Sequence, residues 1–231
     1  QMTARIRNTV LASLLIVLMT AACSSQAQQY FDEAEKFYAS GQYQYAIDKL
    51  NEVIRVDPKH MKAYKVRGGA YYELGQYETA IEDFTEAILL EPQPEIYSKR
   101  GRAYYELGRY ETAIPDLDEA IRLDPQVALL YGLRGIVYEA LGQYEKAIQD
   151  FTESIRLDPQ HTKSYNNRGV AYYFLGHYDK AIQDYSEAIQ LDPQHAKSYY
   201  GRSLAYRKLS QDVKAYDDYK RACELNSNLC E

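Results

Sequence analysis

From Tyr30 onward, small and apolar residues return every three to four positions, broken at regular intervals by glycine and proline. Residues 165–193, YNNRGVAYYFLGHYDKAIQDYSEAIQLDP, show one full cycle. Tyr165, Gly169, Tyr172 and Leu175 fall on one face of a first helix. Ala181, Ile182, Tyr185, Ala188, Ile189 and Leu191 fall on one face of a second. Gly176 ends the first helix, because glycine takes a left-handed φ at little cost. Asp192-Pro193 ends the second, because the residue before proline resists the α region. Gly169 and Ala181 are small on facing surfaces, so the two backbones can approach closely. The unit is a helical hairpin with one apolar face left over, and a neighbour must cover it.

The cycle repeats. Tyr30, Tyr64, Tyr97, Tyr131, Tyr165 and Tyr199 open six copies, 34 residues apart and once 33. That period predicts stacked supersecondary units with no single closed core. The skeleton of Tyr165, Gly169, Tyr172, Ala181, Tyr185, Ala188 and Pro193 resembles the tetratricopeptide repeat. Tyrosine stands here for the family's tryptophan, and arginine for the leucine before the glycine. The resemblance covers residues 27–229, as units 27–60, 61–93, 94–127, 128–161, 162–195 and 196–229, leaving 230–231 as a tail. It implies an all-α fold, an α-solenoid of six hairpins in a right-handed superhelix.

Composition agrees with a folded repeat protein: 231 residues, 46% hydrophobic, 26% charged and net charge −6. The 25 tyrosines come from the repeat, and the absence of tryptophan from its aromatic slots. No basic stripe dominates, which argues against nucleic acid.

Residues 1–26 lie outside the pattern. Arg5 and Arg7 precede an apolar run from Val10 to Met19, and Thr20-Ala21-Ala22-Cys23 follows. A charged start, a short apolar middle and small residues form a secretory signal. The run is shorter than the roughly 20 residues of a membrane span. Cysteine after small residues resembles a bacterial lipoprotein signal, with cleavage after residue 22, lipidation of Cys23 and a short tether over 23–26. Thr20 departs from the leucine usual in that motif. Ser24, and not aspartate, after the cysteine implies the periplasmic face of the outer membrane in a Gram-negative envelope. Ordinary cleavage and an uncleaved anchor remain open.

The end units depart from the rest, as expected where one side meets solvent. Ser40 and Val53 mark the first unit; Ser203, Ser210 and Asp212 mark the last. Pro94 opens the third unit at a position that tolerates proline. Pro115, early in a helix, predicts a slight bend and not a break.

A charge pattern runs through the copies. Arg67, Arg100, Arg134, Arg168 and Arg202 are followed sixteen residues later by Asp83, Asp116, Asp150, Asp184 and Asp218. In the first unit Glu33 and Lys49 hold the same places with both signs reversed. Reversal together points to one ion pair inside each hairpin. Pairing between hairpins would oppose Lys49 to Arg67.

In tetratricopeptide arrays the first helices line a concave groove. Carried onto this sequence, the resemblance implies a peptide-binding groove of Lys62, Lys65, Tyr72, Lys99, Arg102, Tyr105, Leu129, Leu133, Ile136, Lys163, Asn167, Val170, Tyr173, Phe174, Lys197, Tyr200 and Leu204. Val66, Gly69, Glu73, Glu95, Ser98, Glu106, Gly132, Glu139, Ala140, Asn166, Gly201, Arg207 and Lys208 complete it. Basic residues outnumber acidic ones there, inside an acidic chain. Leu129, Leu133, Ile136, Val170 and Phe174 make its middle apolar, with Gly132 leaving room. A protein segment with apolar anchors at its centre and acids toward its ends fits this face. The family's carboxylate clamp does not carry over, since Gly69 stands where it needs asparagine.

Catalysis finds no constellation. His60, His161 and His195 lie in turns between units, too far apart to share a metal, and read as surface residues; His177 lies in a turn within a unit. The carboxylates are periodic and do not converge. No catalytic, cofactor or metal residue is expected, and no small-molecule substrate. Cys223 takes an isoleucine slot and fits a buried hydrophobe. In an oxidising compartment Cys223 and Cys230, seven apart across a helix end, can also form a disulfide, as cysteine-bearing relatives of these repeats do. The chain thus reads as a lipid-anchored, non-enzymatic scaffold binding a protein or peptide. Lipoproteins of this build serve pilus or secretin assembly, outer-membrane assembly or cell-wall hydrolases. A cytosolic or inner-membrane scaffold with an uncleaved anchor is the first alternative. A platform within a cell-wall enzyme system is the second.

Overall fold

A computed structural model of the chain describes residues 25–229. The 1–22 segment, Cys23 and Cys230 lie outside the described residues. Among those described there are twelve α-helices and no strand. The first, α1, is described over 25–39. It is followed by α2 (Tyr43–Val56), α3 (Met61–Glu73), α4 (Tyr77–Leu90), α5 (Pro94–Glu106), α6 (Tyr110–Leu123) and α7 (Ala128–Ala140). Then come α8 (Tyr144–Leu157), α9 (Thr162–Phe174), α10 (Tyr178–Leu191), α11 (Ala196–Lys208) and α12 (Asp212–Leu225). A 3-10 turn, Ser227–Leu229, packs back on α12. The chain divides into two compact units, 1–107 and 108–231. The division falls inside the 94–127 repeat, so α5 belongs to the first unit and α6 to the second.

Helices begin earlier than the apolar pattern alone indicates. α9 starts at Thr162 and α10 at Tyr178, three residues before Tyr165 and Ala181. Their opening turns are polar, and Asp179 favours the positive end of the α10 dipole. α6 runs through Pro115 without interruption. Gly176, at φ 78°, closes α9. Its N–H donates to the Tyr173 carbonyl, and that of His177 donates to Tyr172, satisfying two end carbonyls. In the last hairpin this place is Ser210, at φ 56°. A side chain in the left-handed region costs roughly 1 kcal/mol or more, so this turn is the strained one.

Inside a hairpin, an aromatic ring from the second helix lies on a glycine of the first. A Cβ added to Gly68 would stand 2.9 Å from the Phe84 ring. At Gly135 it would stand 2.7 Å from Phe151, and at Gly169 2.9 Å from Tyr185. Real Cβ contacts are not this short, so the ring and the missing side chain occupy one space. The first hairpin solves the same problem with smaller parts: Ala34 and Leu50 replace glycine and aromatic, both fully buried. α1, α2 and α3 share a core of Phe31, Ala34, Ala46, Leu50, Val53 and Ala63. In the second unit, Phe151 packs with Ala147 and Ala171, and Tyr185 with Ala181 and Ala205. Each of these clusters draws one small residue from the following hairpin, so each hairpin is completed by its neighbour.

The arginines latch the second helices. Arg67 donates from Nε and Nη2 to both oxygens of Asp83, at 2.8 and 2.7 Å. Its Nη1 donates to Asn51 Oδ1 of the preceding hairpin at 2.6 Å. Arg134 forks onto Asp150 in the same way and reaches back to Asp118. Arg168 forks onto Asp184 and reaches Thr152, and Arg202 forks onto Asp218 and reaches Ser186. Arg100 reaches Thr85 within the first unit; Asp116 belongs to the second. Each guanidinium also lies over the tyrosine three residues earlier, for example 5.5 Å from the Tyr64 centroid and 5.7 Å from that of Tyr165. Glu33 and Lys49 meet at 2.6 Å, but their side chains are about twice as exposed as Arg67.

Burial lifts the Asp150 carboxyl, against the pull of the Arg134 fork. Arg134 is held above its ordinary range by its hydrogen bonds to Asp150. Desolvation thus consumes much of what the fork returns, and the fork fixes orientation more than it adds stability. Removing one partner strands the other. Arg134→Ala is expected to cost about 3 kcal/mol or more in urea unfolding. The double variant Arg134→Met with Asp150→Leu is expected to stay within about 1 kcal/mol of the parent. Lys49→Ala is expected to lose far less than Arg134→Ala, and equal losses would refute this account of the forks.

Candidate protein-binding face

Within each unit the first helices of successive hairpins are neighbours: α3 with α5 in the first, α7 with α9 and α9 with α11 in the second. They form an inner row, and the implied groove residues sit on it. The two rows differ in chemistry.

In the first unit the row gathers Tyr38, Lys65, Val66, Gly69, Tyr72, Lys99 and Arg102 around two adjoining recesses. The Tyr38 hydroxyl lies over Gly69, 3.0 Å from where a Cβ would be, so Gly69 is bare to admit that ring. Arg102 lies 5.2 Å from the Tyr72 centroid, and Tyr72 donates to Glu106 at 3.2 Å. Burial pushes the Tyr72 phenol up to about 12, with Arg102 opposing and Glu106 assisting. Lys65 and Lys99 are not free cations: both reach Glu95, at 3.1 and 3.6 Å. Burial raises the Glu95 carboxyl, but the two lysines outweigh it and hold the group below its usual range. Lys62 is exposed and Tyr105 half-buried.

In the second unit the middle of the row is apolar, with Lys163, Lys197, Arg207 and Lys208 toward its ends. Leu129 is 54% exposed. Leu133 and Leu204 are half-buried. Ile136 packs on the Phe151 cluster, and Val170 and Tyr173 on the Tyr185 cluster. Phe174, 60% exposed, stacks on Tyr144 with centroids 5.0 Å apart and planes 6° apart. Tyr200 lies 6.4 Å from Tyr219, and Asn167 accepts from Asn166 at 3.1 Å. Lys163 and Lys197 are exposed.

Two expected groove positions turn inward. Gly132 is buried, and a Cβ there would meet Ser154, His161 and Ser164 at 3.5–3.6 Å. These are ordinary contact distances, so Gly132 faces its own second helix and the next hairpin, and not open space for a ligand. Asn166 is 7% exposed and accepts from Ser198 at 3.0 Å.

The histidines differ from the surface residues expected. His60, His161 and His195 are half-buried at helix starts. His60 Nδ1 accepts from the Ala63 N–H at 3.1 Å, and its ring lies 4.9 Å from Phe31. His161 Nδ1 meets Ser164 Oγ at 2.6 Å, and His195 Nδ1 meets Ser198 Oγ at 2.7 Å. Burial holds the His195 imidazole below its ordinary range. His60 thus caps α3, a role filled in other proteins by serine or aspartate, whereas His161 and His195 bind a serine hydroxyl of their own helix instead of a backbone N–H. Ser164 and Ser198 are 1% and 0% exposed, so the His–Ser pairs cannot meet a substrate. Among the described residues no three His, Cys, Asp or Glu side chains are placed to hold a metal.

Glu139 stands apart from the other acids of the groove register. The same place is held by tyrosine in four other hairpins, at Tyr38, Tyr72, Tyr105 and Tyr173. That contrast is the one sequence signal that singles it out. The carboxyl is half-buried, and burial alone pushes it up to about 7. A folded value above the unfolded value of about 4.3 means the fold favours the protonated acid. Stability is therefore full below about 4.3 and falls as pH rises through 7. Glu139→Gln abolishes this loss. Its melting temperature is expected to gain on the parent between pH 5 and pH 8; parallel curves would remove the argument.

Comparisons with known proteins agree with the hairpin register. Tetratricopeptide repeat profiles match residues 98–162 and 162–195, and a TPR repeat profile matches 68–108. No curated protein sequence matches the chain. Among solved structures the chain is similar to the MamA protein at 27% identity, covering 75% of this chain and 96% of that one with a TM-score of 0.68. It is similar in fold to YrrB, described as a TPR protein with an unusual peptide-binding site, at 21% identity, 76% and 91% coverage and TM-score 0.67. It is also similar in fold to PilW, described as a widely conserved type IV pilus biogenesis factor, at 19% identity, 89% and 95% coverage and TM-score 0.78.

Proposed function

The chain belongs to the tetratricopeptide repeat family, and from that premise we propose that it is a scaffold, not an enzyme, whose inner rows bind a protein segment in the cell envelope. The apolar row of the second unit carries this reading. Leu129 and Phe174 are large and exposed, on the same row as half-buried Leu133, Ile136 and Val170. Apolar side chains left on one face of a repeat are anchors for a partner's apolar residues. The charged row of the first unit supplies orientation and selectivity more than affinity.

The envelope part rests on Arg5, Arg7, the Val10–Met19 run and Cys23. Acylation of Cys23 after cleavage would tether the scaffold, more than one chain being needed for stable anchoring. The likeness to PilW supports a role in assembling an envelope complex. Cys223 stands on α12, against which the 3-10 turn Ser227–Leu229 packs, and we infer a bridge from it to Cys230.

Two measurements test these statements. A photo-crosslinking residue at Leu129 is expected to trap a partner protein in living cells, whereas one at Asp179, on the exposed side of α10, is not. Lys99→Glu and Leu133→Asp should each reduce the trapped amount several-fold; equal trapping from both sites, or no effect of either change, defeats the inner-row reading. Palmitate labelling and intact mass of the mature protein are expected to show acyl chains lost in Cys23→Ser and a mass about 2 Da below the dithiol form. An unlabelled chain retaining residues 1–22 would instead support the uncleaved anchor.

A further inference from the structure

Two polar groups beside the apolar row of the second unit have no partner. Tyr185 is 2% exposed, yet its hydroxyl makes no hydrogen bond among the described residues. The Glu139 carboxylate makes neither a hydrogen bond nor an ion pair among them. In the first unit Tyr38 and Phe84 line one recess, and Glu139 and Tyr185 hold the equivalent repeat positions in the second. Burial, and after it the Glu139 charge, holds the Tyr185 phenol above its ordinary range. No cation of the chain offsets the burial of Glu139. Arg134, on the same helix, is committed to Asp150 and Asp118.

Neither group is required for packing. Phe84 and Phe151 fill the Tyr185 slot in other hairpins without a hydroxyl, and tyrosine fills the Glu139 register. The surroundings bring the hydroxyl toward the inner row. A Cβ at Gly201 would stand 2.5 Å from Tyr185 Cζ and 2.9 Å from Oη. Glycine there lets the ring reach between the first helices. The repeat places Glu139 against Val170 of the next hairpin, as it places Tyr38 on Gly69 and Tyr72 under Arg102.

We propose that this pair receives a lysine side chain of the bound segment, its ammonium held between the Glu139 carboxylate and Tyr185 Oη. The inference rests on the inner-row reading above and specifies one contact within it. Two acceptors in one neighbourhood suit an ammonium, which offers three donors from a single atom. A guanidinium fork suits a carboxylate alone. The lysine stem lies on Val170 and Tyr173, which accept methylene groups. A buried carboxylate without a partner is costly, so the arriving cation recovers more here than at an exposed acid.

The probe is a synthetic library of twelve-residue peptides with random sequence, selected on the immobilised full chain. Wild type is expected to enrich lysine at one position, next to apolar residues, about tenfold over glutamine. Glu139→Gln should abolish that enrichment while keeping the apolar preference. Tyr185→Phe, which other hairpins show to be compatible with folding, should reduce it about threefold. Lysine enriched equally by wild type and Glu139→Gln, or arginine preferred to lysine, would overturn the proposal. Apolar enrichment without any cation would refute it and leave the inner-row reading intact. No enrichment of any sequence would refute both.

Discussion

The close approach of two helices at a bare backbone position governs this structure. Glycine at 68, 135 and 169 lets an aromatic ring of the partner helix sit where a methyl group would be. The ring fills the hairpin seam and also meets the hairpin that follows, Phe151 at Ala171 and Tyr185 at Ala205 and Gly201. What remains apolar is the outer side of the pair, and only another hairpin can cover it. The small residues Ala63, Ala171 and Ala205, each from the hairpin that follows, complete those clusters. Where the glycine becomes Ala34, the ring shrinks to Leu50, which keeps the spacing while changing both parts. Stability therefore accumulates by nearest neighbours, as expected for a linear array.

Much of this was readable from residue spacing. The helices, the turn glycines and the Arg–Asp register follow from periodicity and from charges that reverse together at Glu33 and Lys49. Three features were not readable, each for a physical reason. The third nitrogen of each arginine reaches the preceding hairpin, through Asn51, Thr85, Asp118, Thr152 or Ser186. Residue types so varied give no pattern. His60 caps a helix through Nδ1, and His161 and His195 turn Nδ1 to a buried serine, roles that their turn positions concealed. Gly132 and Asn166 fall in groove register, yet face the next hairpin because Ser154, Ser164 and Ser198 replace apolar residues in that seam. A seam that has become polar draws its neighbours inward, and helical register alone cannot tell which side of a boundary wins.

The arginine latches also explain why the inner rows are available. The guanidinium groups of Arg67, Arg134, Arg168 and Arg202 each join second helices, from their own hairpin and the one before, while resting on a tyrosine. These contacts lie in the hairpin seams and between second helices. They hold successive hairpins in rotation without using the surfaces of the first helices. The first helices can therefore vary in residue type without disturbing the stack.

That freedom has been used differently in the two units. In the first, Glu95 satisfies Lys65 and Lys99, Glu106 accepts from Tyr72, and Arg102 lies over the Tyr72 ring. Its charges are largely answered by one another, so a ligand there must displace existing contacts and gains mainly selectivity. In the second, a half-buried carboxylate and a buried phenol make no hydrogen bond or ion pair with the described chain. Burial there makes the charge of Glu139 expensive and pushes its carboxyl up to about 7. A partner that supplies the missing cation gains from a cost already present in the free protein. On the proposed reading, the second unit's row is where binding energy would be concentrated, and the first unit's row where a wrong charge would be refused.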